Sequence, residues 1–366
     1  MNTFKDRSYM EMAYSLAERA VGWASPNPNV GAVIVKGETI VGYGYHERPG
    51  KPHAEIIALQ RAGRLARKGT AYITLEPCTH WGRTPPCIGP VLEAGLERVV
   101  ISSLDPNPLV HRKGIAMMRQ NRLDAAVGLL AEKNDRLNES YFKYITKKIP
   151  FVTIKAAVSL DGKMATKSFI SQWISSPETR DYSHLIRGEH DAIMVGINTL
   201  LKDNPLLTVR HRNWKGKRIT RIILDSNLRF PLSSRICDTR AHGDILVFTS
   251  SEPSPRKANA LAKKGVSVIP LPGSTAQVRL ENVLAWLGKS EISSVLVEGG
   301  SRLITALLEK RLADKIILAL SPKLIGGKRA ISLYEGEGAS QVKDALLIKK
   351  TRSFPIADET IIEGYF

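Results

Sequence analysis

The sequence predicts two consecutive α/β domains, and three observations carry that reading. At 366 residues the chain is longer than one hydrophobic core usually organises, since domains run to roughly 150 residues. Apolar residues alternate between strand and helix periods along both halves, the pattern of helices packed on the faces of a sheet. Between the halves, Lys147, Lys148, Ile149 and Pro150 interrupt a helical stretch, and a new strand pattern starts at Phe151, because the residue before proline is driven out of the helical region. The expected domains are 1–146 and 147–366.

In the first, Met10, Ala13, Leu16, Ala17 and Ala20 repeat at helical spacing up to Gly22 and the turn-rich Ser25, Pro26, Asn27, Pro28, Asn29. Gly31 to Lys36 and Ile40 to Tyr45 read as a hairpin joined through Gly37. His53 to Ala66 reads as a helix, Ala71 to Leu75 as a strand, Cys87 to Ala94 as a helix and Arg98 to Ser102 as a strand, and Leu130 to Lys148 is one closing helix. In the second half, strands are predicted at Phe151 to Ala157, Ala192 to Val195, Arg221 to Leu224, Ile245 to Phe248, Val266 to Ile269, Ser294 to Val297 and Lys315 to Leu320. The tail, Ala345 to Ser353 and Glu359 to Tyr365, reads as two pairing strands.

Composition narrows the function classes. No apolar run approaches the roughly 18 residues of a membrane span, and the N-terminal residues lead into an amphipathic segment, so the chain is expected in the cytoplasm, away from the bilayer. A formal charge of +18 favours anionic ligands, nucleic acid and phosphorylated metabolites alike. The cluster Arg61, Arg64, Arg67, Lys68 reads as a solvated helix face. Three cysteines cannot form a disulfide framework. Cys237 stands alone and receives no role, whereas Cys78 and Cys87 lie near histidines and suit a metal.

His53, Ala54 and Glu55 open a predicted helix; Glu76, Pro77 and Cys78 follow one helix and one strand later, and Cys87 follows after eight further residues. A chain that goes out along a helix and returns along a strand can bring one imidazole and two thiolates together. Three protein ligands leave a tetrahedral zinc one position for water. The metal lowers the pKa of that water, and a nearby carboxylate outside the ligand set moves its proton; Glu55 is placed for this. The set matches the signature of zinc-dependent base deaminases, and with it a cytidine-deaminase-like α/β/α sandwich. The bland alternative is a structural zinc completed by His80 as a fourth ligand.

Nucleic-acid and cytidine deaminases place two residues between the cysteines, but here Thr79, His80, Trp81, Gly82, Arg83, Thr84, Pro85 and Pro86 intervene. With Pro28 to Val33, His53-Ala54-Glu55 and Asp105-Pro106-Asn107-Pro108, this longer loop resembles the bifunctional deaminase–reductase family of riboflavin biosynthesis, over essentially the whole chain. The resemblance implies that His53, Cys78 and Cys87 hold Zn²⁺, that Glu55 is catalytic, and that Asn27, His46, Arg83, Asp105 and Asn107 hold the substrate. An arginine such as Arg83 can meet a phosphate bidentately. After Pro108, relatives run valine, a small residue, glycine, a basic residue, glycine, where this chain has Val110, His111, Arg112, Lys113, Gly114. Arginine resists the positive φ that glycine permits, so this loop is expected to differ locally and to offer Arg112 to the substrate phosphate.

In the second half no Gly-x-Gly-x-x-Gly follows a predicted strand, and Gly42-Tyr43-Gly44 is a fragment inside a hairpin, so a Rossmann reading is not supported. Glu298, Gly299, Gly300 and Ser301 close a strand and start a helix, a junction that can seat a phosphate on helical N–H groups or serve as a tight turn. Lys155 to Lys163, Ser171 to Ile174 and Asp203 to Arg210 are similar to the same family's reductase half. That similarity implies a dihydrofolate-reductase-like α/β domain. It implies NADPH contacts at Ala157, Trp173, Thr199, Asp203, Gly300, Ser301, Arg302, Leu303, Ile304, Thr305 and Ala306, and substrate contacts at Lys155, Ser171, Arg187, Leu207, Arg210 and Glu298. Hydride transfer needs positioning more than a protein base, so no base is assigned there.

The resemblance thus implies hydrolytic deamination of 2,5-diamino-6-ribosylamino-4(3H)-pyrimidinone 5′-phosphate, then NADPH-dependent reduction of 5-amino-6-(5-phosphoribosylamino)uracil. The expected partners are these phosphorylated pyrimidines and further copies of the chain, as a dimer or tetramer, with no nucleic acid. The rival, a tRNA or nucleotide deaminase with an RNA-binding half, prefers a concentrated basic and aromatic surface, and aromatic residues make up only 6% here. A zinc-stapled binding protein without catalysis is the third reading.

Overall fold

In the computed structural model, which describes residues 3–250, 252–271 and 277–366, the repeat through Met10, Ala13 and Leu16 folds as helix α1 (Thr3–Glu18) and packs against Val33, Val35, Tyr72 and Val100 of a sheet. This helix belongs to the first of two units, Met1–Ile149 and Pro150–Phe366.

The first unit continues with β1 (Gly31–Lys36), β2 (Thr39–Tyr45), α2 (Ala54–Ala62), β3 (Thr70–Leu75), α3 (Ile88–Glu93), β4 (Arg98–Ser103), α4 (Lys113–Gln120), β5 (Asp124–Val127), α5 (Ala131–Leu137) and α6 (Glu139–Lys147). Its sheet runs β2-β1-β3-β4-β5, antiparallel around β1 and parallel from β3 to β5. Alternate strand residues point to opposite faces. Those opposite the α1 side, Ala32, Ile34, Ile73 and Ile101, pack with Ala54 and Ala58 of α2 and Ile88 and Val91 of α3. Helices therefore cover both faces. The Gly-Tyr-Gly fragment serves packing: a Cβ on Gly42 would lie 2.2 Å from the Ala58 carbonyl oxygen, and one on Gly44 2.6 Å from the Ile57 Cβ. Glycine here lets α2 press onto β2.

Two helical expectations change. The helix read over 53–66 is α-helical only over Ala54–Ala62 and ends in a 3₁₀ turn, Gly63–Ala66. The helix read over 130–148 is two, α5 and α6, meeting at Asn138. The Asn138 side chain takes both backbone groups of Asn29, accepting from its N–H at 2.7 Å and donating to its carbonyl at 3.1 Å. Helix α4 and strand β5 carried no readable period, because α4 buries only Gly114, Ile115 and Met118 and β5 has four residues.

The second unit comprises β6 (Phe151–Ser159), β7 (Lys163–Ala165), α7 (Pro177–Glu189), β8 (Ala192–Gly196), α8 (Ile197–Asp203), β9 (Thr220–Leu224), β10 (Ile245–Thr249), α9 (Pro255–Lys263), β11 (Val266–Pro270), α10 (Leu280–Lys289), β12 (Ser294–Glu298), α11 (Ser301–Glu309), β13 (Lys315–Ser321), β14 (Ile331–Ser332), β15 (Lys349–Ile356) and β16 (Glu359–Tyr365). Nine strands form one sheet, β11-β10-β9-β8-β12-β6-β13-β16-β15, parallel up to β13 and antiparallel beyond it. The central strands β6, β8 and β12 are near-continuous apolar runs, as burial on both faces requires. The first tail strand starts at Lys349, later than the expected Ala345. Cys237 is buried in a 3₁₀ segment, Arg235–His242. Among the described residues no helix is long and apolar enough to cross a membrane.

Candidate active sites

In the first unit, His53 caps the N-terminus of α2 and Glu55 lies in its first turn. Cys78 follows β3 in a loop, and Cys87 sits at the N-terminus of α3. The ligand atoms of His53, Cys78 and Cys87 all lie within 4.8 Å of one another. The His53 Nδ1 atom is 3.0 Å from the Cys87 sulfur and 3.6 Å from that of Cys78, while Nε2 is 3.1 Å from the Thr84 hydroxyl. The imidazole thus turns Nδ1 to the sulfurs and is held at its far nitrogen. The hydrogen bond from Cys87 and the imidazole of His53 push the Cys78 thiol down to about 4 against burial. The same bond and burial push the Cys87 thiol up. His80 is outside the cluster among the described residues, and its buried Nδ1 has no hydrogen-bond partner. Soft thiolates and one imidazole fit zinc with one position left for water.

Glu55 is 5% exposed, and its Oε2 is buried without a hydrogen-bond partner. A carboxylate oxygen so placed beside a metal set is available to a water proton. His46 donates from Nδ1 to the Pro52 carbonyl at 3.2 Å and accepts at Nε2 from the Asn27 amide at 2.9 Å; its ring meets that of His53 edge-on at 5.0 Å. Burial pushes the pKa of His46 down, keeping it neutral. Asn27, His46 and the metal set therefore line one place. Arg83 lies exposed on the cysteine loop.

Asp105 and Asn107 sit in the β4–α4 loop and are 4% and 8% exposed. The Asp105 carboxylate accepts from the Tyr141 hydroxyl at 3.0 and 3.1 Å and from the Asn107 N–H at 2.8 Å. Burial pushes its carboxyl up to about 6 despite these bonds. Arg112 overturns one expectation: it takes φ +62°, so arginine's resistance to that conformation does not prevail. Its N–H is held at 3.0 Å by a carboxylate oxygen of Glu76, a residue sequence reasoning passed over. Tyr141 was missed too, since a tyrosine at a core-facing helical position gives no signal beyond packing.

In the second unit, Lys155 and Glu298 are register partners on β6 and β12. Arg187 of α7 grips Glu298 with two bonds, Nε to Oε1 at 2.8 Å and Nη2 to Oε2 at 2.6 Å, and its Nη1 donates to the Thr208 carbonyl at 3.1 Å. Burial would raise the Glu298 carboxyl, but Arg187 and then Lys155 outweigh it and hold it at about 2. Burial pushes Lys155 down. These bonds tie Arg187 to Glu298 and to the Thr208 carbonyl. Arg210 is exposed, with Nη1 2.9 Å from the Thr208 hydroxyl, and Leu207 is buried beside it with φ +52°.

The β12–α11 junction has Gly299 at φ +99° and Gly300 at φ +77°, and a Cβ on Gly300 would lie 3.5 Å from the Thr199 hydroxyl. No side chain caps α11, and the Ser301 hydroxyl bonds to Glu335 instead. Its first N–H groups can therefore meet an anionic ligand, which fits a dinucleotide phosphate. Beyond this start, Leu303, Ile304 and Thr305 are buried in the unit, with Ala306 half-buried and Arg302 exposed. Only the head of the expected run presents a surface. Trp173 is 62% exposed, with Arg180 4.3 Å over its ring. Asp203 ends α8, Ala157 lies on β6 opposite Ala319 of β13, and Ser171 lies just before Trp173.

Comparison with known proteins bears on both units. Residues 3–103 match the family model for the cytidine and deoxycytidylate deaminase zinc-binding region, and residues 150–362 match the RibD C-terminal domain. The riboflavin biosynthesis protein RibD of Aquifex aeolicus is 42% identical over 98% of this chain and 97% of its own length. The protein of that name from Escherichia coli is 38% identical over 93% and 94%. Among solved structures, Acinetobacter baumannii RibD superposes with a TM-score of 0.88 at 32% identity, covering 99% of this chain and 98% of that one. A Thermotoga maritima diaminohydroxyphosphoribosylaminopyrimidine deaminase/5-amino-6-(5-phosphoribosylamino)uracil reductase gives 0.87 at 33% identity, covering 100% and 99%. With a zinc-binding deaminase domain followed by a reductase domain, the chain belongs to the RibD family of bifunctional riboflavin-biosynthesis enzymes.

Proposed function

We propose that residues 1–146 deaminate 2,5-diamino-6-ribosylamino-4(3H)-pyrimidinone 5′-phosphate and that residues 147–366 reduce 5-amino-6-(5-phosphoribosylamino)uracil to the ribitylamino product with NADPH. The observation that carries the reading is the convergence of His53, Cys78 and Cys87 beside the unpartnered Glu55 oxygen. Zinc held there supplies a water acidified for attack at neutral pH. Glu55, outside the ligand set and with one carboxylate oxygen unpartnered, is the group that would hold a proton and pass it to the leaving amine. Asn27 and His46 fix each other and face the metal set, which supports a role in orienting the pyrimidine. Asp105 and Asn107 shape the neighbouring loop, while Arg83 and Arg112 offer charge to the 5′-phosphate.

In the second unit NADPH supplies the hydride. The N–H groups after Gly300, with Thr199 beside them, support a seat for its phosphates; Ala157, Trp173 and Asp203 are assigned to the same cofactor. Lys155 and Glu298, with Arg187 fixing the latter, present one positive and one negative group to the substrate. Arg210 is the better placed arginine for its phosphate, with Ser171 and Leu207 around the sugar. We assign the chain to the cytoplasm, without nucleic acid, as a dimer or tetramer; the exposed Leu346, Leu347 and Ile348 ahead of edge strand β15 support self-association.

The test is to incubate the protein with the diaminopyrimidine phosphate, with and without NADPH, and identify products by mass. Without NADPH the deaminated uracil should accumulate; with it, the ribitylamino product should form. Unchanged substrate in both arms would refute the reading.

A further inference from the structure

Besides Glu55, Asp6 and Asp105, the deaminase unit buries the carboxylate of Glu76. Glu76 directly follows β3 and is 3% exposed. Its own N–H donates to the Ser103 carbonyl at 3.0 Å, extending the pairing of β3 with β4. Its carboxylate accepts three backbone N–H groups from one segment: Asp105 at 3.4 Å and Arg112 at 3.0 Å on Oε2, and Ile115 at 3.3 Å on Oε1. A negative group at the head of an eight-residue helix is favourable, and hydrogen bonds to an ionised acceptor are among the stronger ones. The contact is also tight. A Cβ on Gly114 would lie 2.8 Å from the Pro77 carbonyl oxygen and 3.2 Å from Glu76 Oε1, so α4 rests against the turn that leads into Cys78.

We infer that Glu76 is a positioning residue of the deaminase, whose carboxylate fixes the loop carrying Asp105, Asn107 and Arg112 against the turn carrying the zinc-binding Cys78. One end of the link is two residues from a metal ligand; the other end is the Asp105 N–H, and the Asp105 side chain is locked in turn by Tyr141 and Asn107. The link also explains how Arg112 keeps a left-handed backbone, a conformation that needs outside support in a non-glycine residue. Glu76 touches neither the metal atoms nor the reacting carbon in this account. It sets the distance between the groups that hold the substrate and the groups that act on it, and small misplacements of that kind are costly.

The inference rests on the deaminase reading above. The experiment compares Glu76→Gln with the unsubstituted full-length protein for ammonia release, zinc content and reduction of supplied uracil intermediate. The amide keeps the size of the side chain but turns an NH₂ towards an N–H donor. We expect KM for deamination to rise about tenfold or more, kcat to change by at most a few-fold, one zinc per chain, and unchanged reduction. An unchanged KM beside an active parent overturns the positioning role, as does loss of zinc, which would make Glu76 part of the metal site's construction. An inactive parent overturns the deaminase reading itself. If Glu76→Gln does not fold, Gly114→Ala carries the test, since its Cβ, 2.8 Å from the Pro77 carbonyl oxygen and 3.2 Å from Glu76 Oε1, forces α4 and that turn apart while Glu76 and every metal ligand keep their identity. It too must raise KM with zinc retained, and an unchanged KM overturns the inference.

Discussion

The two units carry their chemistry in different parts of the chain. In the first, the proposed site is made of side chains: His53, Cys78, Cys87 and Glu55 are groups that little else replaces, and their spacing follows from a helix and a strand of ordinary length. In the second, much of the proposed cofactor seat is backbone, two glycines with positive φ and the uncapped start of α11, and the charged cluster is split among β6, α7 and β12. A side-chain site survives translation into a sequence pattern, whereas a backbone site looks like any tight turn.

The largest expected effect sharpens this contrast. Glu55→Gln should lower deamination by about two orders of magnitude or more, the scale of general acid–base catalysis, with zinc retained and reduction of the uracil intermediate intact. An assay of ammonia release beside NADPH oxidation measures both, and residual deamination near the parent rate would remove Glu55 from its role.

The second unit has no such single residue, but its buried pair is vulnerable in stability. Arg187→Met leaves the Glu298 carboxylate buried with Lys155 as its remaining cation. Breaking a buried pair on one side costs about 3–5 kcal/mol, here in unfolding of the second unit, together with a raised KM for reduction. Urea titration read separately for the two units checks it; a loss confined to the first unit would contradict the pairing.

Acid should also separate the units. His190 donates from Nδ1 to the Ile186 carbonyl at 2.8 Å and accepts at Nε2 from the Thr153 hydroxyl at 3.0 Å. Burial pushes it down to about 4 from 6.5. A depressed pKa means that its share of stability is complete above 6.5 and disappears as pH falls from 6.5 to 4. The difference between the two pKa values is on the order of 3 kcal/mol. Unfolding of the second unit followed across that range should show a slope that His190→Gln reduces, His184, which burial also pushes down to about 4, supplying part of the remainder; an equal slope in the variant would mean that other groups set the acid limit.

Much of the architecture was legible because both sheets are built from apolar strands with clear ends, such as Ala192 to Gly196, whereas the order of those strands, with β12 between β8 and β6, was not. What escaped lacked a period. Asn138 breaks one helix into two through side-chain bonds to Asn29, more than a hundred positions away in sequence, and α4, eight residues with three of them buried, is too short to show a repeating apolar face. At the sites, the metal ligands were readable and Glu76 was not, although a glutamate placed directly after a buried strand could have prompted the question of what satisfies it. The tie between Arg187 and Glu298 exists only in three dimensions.

Removing and restoring the metal tests most directly the claim that two independent chemistries share this chain. Protein stripped with a chelator should release no ammonia from the diaminopyrimidine phosphate yet reduce supplied 5-amino-6-(5-phosphoribosylamino)uracil at the parent rate, and added Zn²⁺ should restore the first activity alone. Deamination that persists in metal-free protein, or reduction that disappears and returns with the metal, would contradict it.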